Sequence, residues 1–336
     1  MIRSLVGAPE DASPEIRRNL PHDELARALD AGHTVWIDIV DAEPADLEWV
    51  EENLDLHPAV ISDLHRDDRR PTLMVYPAYL FLSLFQPVRE QDRVIGSEVH
   101  CISGEGYLIT VRKGISTAVE KAYDVAARNT QYWNRSEHYF LFLVMQYVID
   151  AYYPLLDRIN VRLTDIEERV LTAEDEPRVM QTSVYRIKQQ LVNLRQMVSP
   201  QREVLSSLIG EGSLAVSEQT REPFHHLYER LLRIYDVIDG QRDLWSNVLE
   251  LIRSREAQNL SRVVSRLTIL SMIFLPLTFI LGVFELNFIT TNPVLAIPVP
   301  GHLMLLVLMV GMGLIVGLMF FLYKRFGWVC RPKEAL

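Results

Sequence analysis

Residues 267–287 read LTILSMIFLPLTFILGVFELN, and the fold turns on how that stretch is taken. Positions 267–284 hold 18 residues without a charge, the lower end of what crosses a bilayer as a helix. A second run, 303–323, has 21 residues and again no charge. The intervening 285–302 contains Pro293, Pro298 and Pro300, residues that interrupt helices. The pattern predicts a helical hairpin through a membrane at the end of a mostly polar chain. Arg253, Arg255, Arg262 and Arg266 precede the first span, Lys324, Arg325, Arg331 and Lys333 follow the second, and the connecting loop has neither Lys nor Arg. The positive-inside rule then puts both ends in the cytoplasm and the loop outside. The first 20 residues lack the apolar stretch of a signal peptide.

Within the first span Val264, Leu267, Ser271, Leu275, Thr278 and Gly282 recur every three or four residues and fall on one side of a helix. A stripe of apolar residues and small hydroxyls suits a narrow pore, which needs several copies of the same helix to enclose it. The competing reading is that Ser271 and Thr278 bond back to their own backbone. Pro276 is expected to bend or loosen the helix locally.

The run NLSRVVSRLTILSMIFLPLTFILGVFELNF resembles the last stalk turns and pore helix of the CorA family of divalent-cation channels and transporters. Segments around Trp36-Ile37-Asp38, Leu56-His57-Pro58, Arg70-Pro71, Tyr79-Leu80-Phe81-Leu82 and Leu108-Ile109-Thr110-Val111 match that family's cytoplasmic domain in order and spacing. Arg195 and Pro200-Gln201-Arg202-Glu203 continue the match. The family closes its first span with Gly-Met-Asn; here Glu285-Leu286-Asn287 stands instead, which makes the chain similar to the divergent CmaX-like or ZntB-like branches. The resemblance implies a funnel-shaped homo-pentamer in the inner (cell) membrane. It also implies a ring of Asn287 amides at the outer mouth, which would meet a hydrated ion without stripping its water. Glu285 lies three residues beyond Gly282 on the stripe, so it either adds a ring of carboxylates at the entrance or marks where the helix leaves the bilayer for water.

The same resemblance assigns a closing sensor to acidic residues at subunit interfaces. The matching positions are Pro77, Ala78, Ala151 and His226, none of them a carboxylate. His225 and His226 are candidate ligands for a softer metal such as zinc, although neighbours on a helix point apart. Packing or surface roles fit them as well.

The remainder of the chain divides into a cytoplasmic α/β domain (1–130), long cytoplasmic helices and stalk (131–262), a transmembrane pore helix (263–286), an outer loop (287–302), a second transmembrane helix (303–323) and a cytoplasmic tail (324–336). In the first part 35–39 is a strand, Asp41 the expected cap of a helix through Leu54, and 72–85, 94–103 and 107–111 further strands. Gly104-Glu105-Gly106 is a turn, and 116–129 a helix. The charged knot 65–70 reads as a solvated loop. Residues 138–172 and 176–207 are helical, joined by an acidic turn that either attracts cations by its field or is simply hydrated. A third helical segment runs from 216 to 284, about 100 Å at 1.5 Å per residue. Leu227, Leu231, Ile234, Ile238, Trp245, Val248 and Ile252 keep a heptad there, broken only by Gln241. Gly240 is a weak point in it. The pore stripe into which it continues is the surface on which identical chains are expected to pack.

Net charge is −10, which argues against nucleic acid as a partner. The two cysteines, Cys101 and Cys330, read as small apolar residues and not as a disulfide. No nucleophile–base set or phosphate loop appears, so an enzyme is not expected, nor any cofactor beyond a divalent cation as substrate. Two functions remain: conduction of Mg2+, Zn2+, Co2+ or Ni2+, and a non-conducting membrane scaffold or stress-response partner built on the same frame.

Overall fold

A computed structural model describes residues 1–7, 16–66, 70–133, 138–172, 177–210, 218–288 and 301–325. The chain divides into two units, Met1–Ile252 and Arg253–Leu336.

The first unit is built on a seven-stranded sheet. Its strands are β1 (Ile2–Gly7), β2 (Arg17–Arg18), β3 (Thr34–Val40), β4 (Thr72–Val75), β5 (Tyr79–Glu90), β6 (Arg93–Gly104) and β7 (Tyr107–Arg112), in spatial order β2-β1-β3-β7-β6-β5-β4. Only β3 and β7 run parallel; every other pair is antiparallel. Helices cover both faces. On one side α1 (His22–Asp30), α2 (Pro44–Asn53) and α3 (Pro58–Leu64) bury Leu25, Val50 and Val60 against Ile37, Ile39 and Phe81. On the other, Trp36, Leu82 and Cys101 enter a core shared with α4 (Thr117–Arg128), α5 (Tyr139–Asp150), α6 (Tyr153–Thr172), α7 (Pro177–Ile209) and α8 (Glu218–Phe288). A strand covered on both faces reads as a near-continuous apolar run, which is why 35–39 stands out in the sequence in spite of Asp38.

Several expectations change in detail. Asp41 does not cap α2. Pro44 occupies the first turn, where a missing N–H costs nothing, so the cap is Glu43, whose backbone N donates to Asp46 Oδ2 at 3.1 Å. Asp41 sits at φ +48° and its Oδ1 accepts from Gly114 N at 2.7 Å, fastening the ends of β3 and β7. The expected strand 72–85 is two strands, because Pro77 falls in a tight turn closed by Tyr76 N donating to Tyr79 O at 2.9 Å. The Gly104–Gly106 turn forms as expected, with Gly106 at φ +76°, where a side chain would be strained. Ser116 caps α4 by accepting from Val119 N at 3.2 Å.

Residues 138–172 form two helices and not one. Pro154 has no N–H to offer the carbonyl four residues back, and the chain breaks at Ala151–Tyr152. The break is filled by the buried Tyr152 ring, whose hydroxyl donates to Phe85 O at 3.3 Å and accepts from Gln201 Nε2 at 2.6 Å.

The heptad in α8 is present, and its partners lie in the same chain. Leu227, Leu231, Ile234, Ile238, Val248 and Ile252 are all buried within a single chain. Trp245 Nε1 donates to Val184 O at 2.7 Å, and Gln241 Nε2 to Leu156 O at 2.8 Å, so the odd residue of the seam reaches a carbonyl on α6. A heptad specifies a seam, and a helix of the same chain fills it as well as one from a neighbour.

The second unit contains α8 from Arg253 onward and α9 (Gly301–Arg325). Cys101 is buried and unbridged, and burial pushes its thiol far above the ordinary range. Cys330, the knot residues 67–69 and the acidic turn 173–176 lie outside the described residues.

Candidate functional site

The pore stripe belongs to the second unit. Val264, Leu267, Ser271, Leu275 and Thr278 are all exposed in the single chain, and Gly282 is half-buried. Leu275 is 76% exposed and Phe279, one turn on along the same side, 72%. Phe274 and Leu281, further round the helix, are 59% and 48% exposed, while Ile269, Ile273, Pro276, Leu277 and Ile280 on the far side are half-buried. In α9 Leu314 is 68% and Phe320 68% exposed. Large apolar side chains left open over so much of a helix need lipid or other protein around them, because single exposed apolar residues are ordinary and continuous bands of them are not. Apolar composition alone does not make the case. Tyr139–Asp150 is similarly apolar, yet Leu141, Val144 and Val148 are buried in the core of the first unit.

One hydroxyl of the stripe is turned inward. Thr278 Oγ1 donates to Phe274 O at 2.8 Å, as Thr268 does to Val264 O at 2.8 Å. This is back-bonding of the kind that membrane helices use to satisfy hydroxyls. The helix passes through Pro276 without ending. Glu285 and Asn287 fall in the last turn of α8; their side chains, and all of 289–300, lie outside the described residues.

The positions of the expected sensor are in the first unit. Pro77 and Ala78 are exposed in the β4–β5 turn, and Ala151 is the C-cap of α5. The neighbouring carboxylate, Asp150, is committed to Arg230, which also lies 5.9 Å from the centre of the Tyr153 ring. His225 and His226 are exposed on α8, with Glu229 4.0 and 3.9 Å from their Nδ1 atoms. Among the described residues no group of three His, Cys, Asp or Glu converges as a metal site.

Two ionic clusters escaped sequence reasoning. Fully buried Asp38 accepts from Thr110 Oγ1 at 2.6 Å, Arg112 Nη2 at 3.0 Å and Arg3 Nε at 2.7 Å. Arg3 and Arg112 also pair with Glu120; burial opposes that carboxyl's ionisation, but the two guanidinium groups outweigh it and hold its pKa low. At the β5–β6 turn Asp92 gathers Arg89, Arg162 and Arg186 within 3.6 Å, and Arg186 leads in lowering its pKa. These partners stand up to 117 residues apart, so no local pattern announces them.

A family model described as CorA-like Mg2+ transporter protein matches residues 31–325. The cobalt/magnesium transport protein CorA of Thermotoga maritima is 27% identical over 263 residues, 77% of this chain and 74% of that one. The zinc transport protein ZntB of Yersinia pestis is 27% identical over 147 residues, 42% of this chain and 44% of that one. Among solved structures, the complete CorA magnesium transporter from Methanocaldococcus jannaschii matches with a TM-score of 0.81 at 16% identity, covering 98% of this chain and 99% of the other; at that identity the likeness is one of fold.

Proposed function

The chain belongs to the CorA-like Mg2+ transporter family, and from that premise we propose that it passes a divalent cation across the inner membrane through a pore lined by α8 from each of five copies. The observation that carries this reading is the stretch of α8 beyond Arg253, apolar from Leu267 on and without a fully buried residue as far as Gly282, with the stripe from Val264 to Gly282 on one side. Lipid accounts for the outer faces, and the stripe of neighbouring copies for the inner one. In this reading both termini are cytoplasmic and 287–302 is the outer loop.

At the mouth, Asn287 amides would hold the ion through its water shell, and Glu285 would raise the local cation concentration. Mg2+, Co2+, Ni2+ and Zn2+ are the candidate ions; the likeness to both a cobalt/magnesium and a zinc transport protein supports Mg2+, Co2+ and Zn2+ among them. Zinc at His225 and His226 would find Glu229 as a further donor, the one carboxylate within 4.0 Å of them among the described residues. A second reading, a non-conducting scaffold, is favoured by one observation: Pro77, Ala78, Ala151 and His226 offer no interface carboxylate with which an ion could hold the assembly shut.

The mouth supplies the test. Asn287→Ala should reduce divalent uptake into liposomes at every ionic strength, since it removes the oxygens that contact the hydrated ion. Glu285→Gln should reduce it most at low salt, where charges are least screened. Equal uptake by wild type and Asn287→Ala would remove the proposed mouth and favour the scaffold.

A further inference from the structure

The edge along which α7 meets α8 carries chemistry that ion conduction leaves unused. Lys188, Arg195 and Arg202 recur every seven residues on α7, so they line one side of that helix. Opposite them α8 supplies two aromatic rings. The Lys188 ammonium lies 5.1 Å from the centre of the Trp245 ring, and the guanidinium groups of Arg195 and Arg202 lie 5.2 and 5.0 Å from that of Tyr235. Arg195 is neutralised by Asp239 at 3.1 Å and donates to Tyr235 Oη at 2.7 Å. Lys188, Arg202 and Arg242 have no carboxylate partner among the described residues. Between the helices lies a cavity of about 340 Å³, walled by Lys188, Arg195, Arg242 and Trp245 over an apolar floor that includes Val192 and Ile238.

We propose that this groove binds a mononucleotide-sized aromatic phosphate. Two exposed, unneutralised cations beside an apolar floor draw in an anion, and phosphate accepts charge-assisted hydrogen bonds from both an ammonium and a guanidinium. A bare phosphate leaves most of the cavity empty and the indole unused. A planar ring attached to it covers the floor and takes the indole face when the flexible Lys188 moves from ring to phosphate. The volume is at the small end of ligand pockets, which suits one base and one phosphate. The lining ends at Trp245, 22 residues before the apolar run that begins at Leu267, so a soluble molecule and not a lipid headgroup is the expected source of the phosphate.

The full-length protein in detergent, titrated with adenosine monophosphate by calorimetry and followed by tryptophan fluorescence, tests this. Binding is expected for the monophosphate, absent for adenosine, and about tenfold weaker for inorganic phosphate. Lys188→Ala and Arg242→Ala should each weaken the monophosphate by about tenfold. Both side chains are exposed, so the variants should melt with the wild type. Trp245→Phe should keep binding and lose most of the fluorescence change. Absence of heat with the monophosphate, equal affinity for inorganic phosphate, or affinity indifferent to both cation substitutions would each overturn the proposal. The first result is also what a groove covered by an acidic protein or a second copy would give.

Discussion

Acidification should loosen the joint between the sheet and α5 through a single side chain, His138. It precedes α5 at φ +65°, its ring is largely buried, and Nδ1 lies 2.7 Å from Ser103 Oγ on β6. Burial pushes its pKa down to about 4. In the unfolded chain the group titrates near 6.5, so between those values the unfolded state holds a proton that the folded state refuses. Stability from this residue is therefore complete above about pH 6.5 and is lost progressively as pH falls to about 4. A gap of about 2.5 units at 1.36 kcal/mol each makes the loss about 3 kcal/mol. That is a substantial share of the roughly 5–15 kcal/mol that holds a domain together. The comparison is with His138→Asn, which tolerates the positive φ and leaves an amide facing Ser103 while removing the titration. Thermal unfolding in detergent, followed from pH 7 to 4.5, should show the wild type falling more steeply than the variant. Carboxylates shared by both proteins cancel in that difference. Parallel melting curves across the window would refute the reasoning.

Two further outcomes are expected. Ile234→Ala, at a fully buried seam position, should cost about 2–5 kcal/mol, with a loss that does not depend on protein concentration; a concentration-dependent loss would mean that the seam is shared between copies. Millimolar Mg2+ should raise the melting temperature no more than a monovalent salt of equal ionic strength, because Pro77, Ala78, Ala151 and His226 provide no carboxylate for it. A rise of many degrees specific to Mg2+ would reveal a sensor built from other residues, since an ion that binds only the closed assembly must stabilise it.

What could be read from the sequence follows from how local each signal is. The buried strand 35–39 and the apolar runs 267–284 and 303–323 declare themselves within one window, as does the helix over 116–129. β1 did not, since Ile2–Gly7 is held along its whole length by pairing with residues more than 25 positions later, and β2 adds only two further pairs. The breaks at Pro77 and Pro154 were written in the chain but masked by strong apolar periodicity on either side. The α8 heptad was visible as a seam, while the identity of its partner depends on where α6 and α7 return. The Asp38 cluster needs β1, β3, β7 and α4 brought together and has no local signature. For the pore, the stripe is legible because helical periodicity is local. The behaviour of Thr278 is not, because a hydroxyl facing a lumen and one bonded to Phe274 O share the same sequence pattern.

Conduction itself is tested most directly by ion uptake into sealed liposomes carrying the purified wild-type protein, with Mg2+, Co2+, Ni2+ and Zn2+ compared side by side under one gradient. At least one of the four is expected to enter well above the rate of protein-free liposomes. Entry of none, in a preparation whose protein is folded and inserted, would contradict the channel and leave the membrane scaffold as the function.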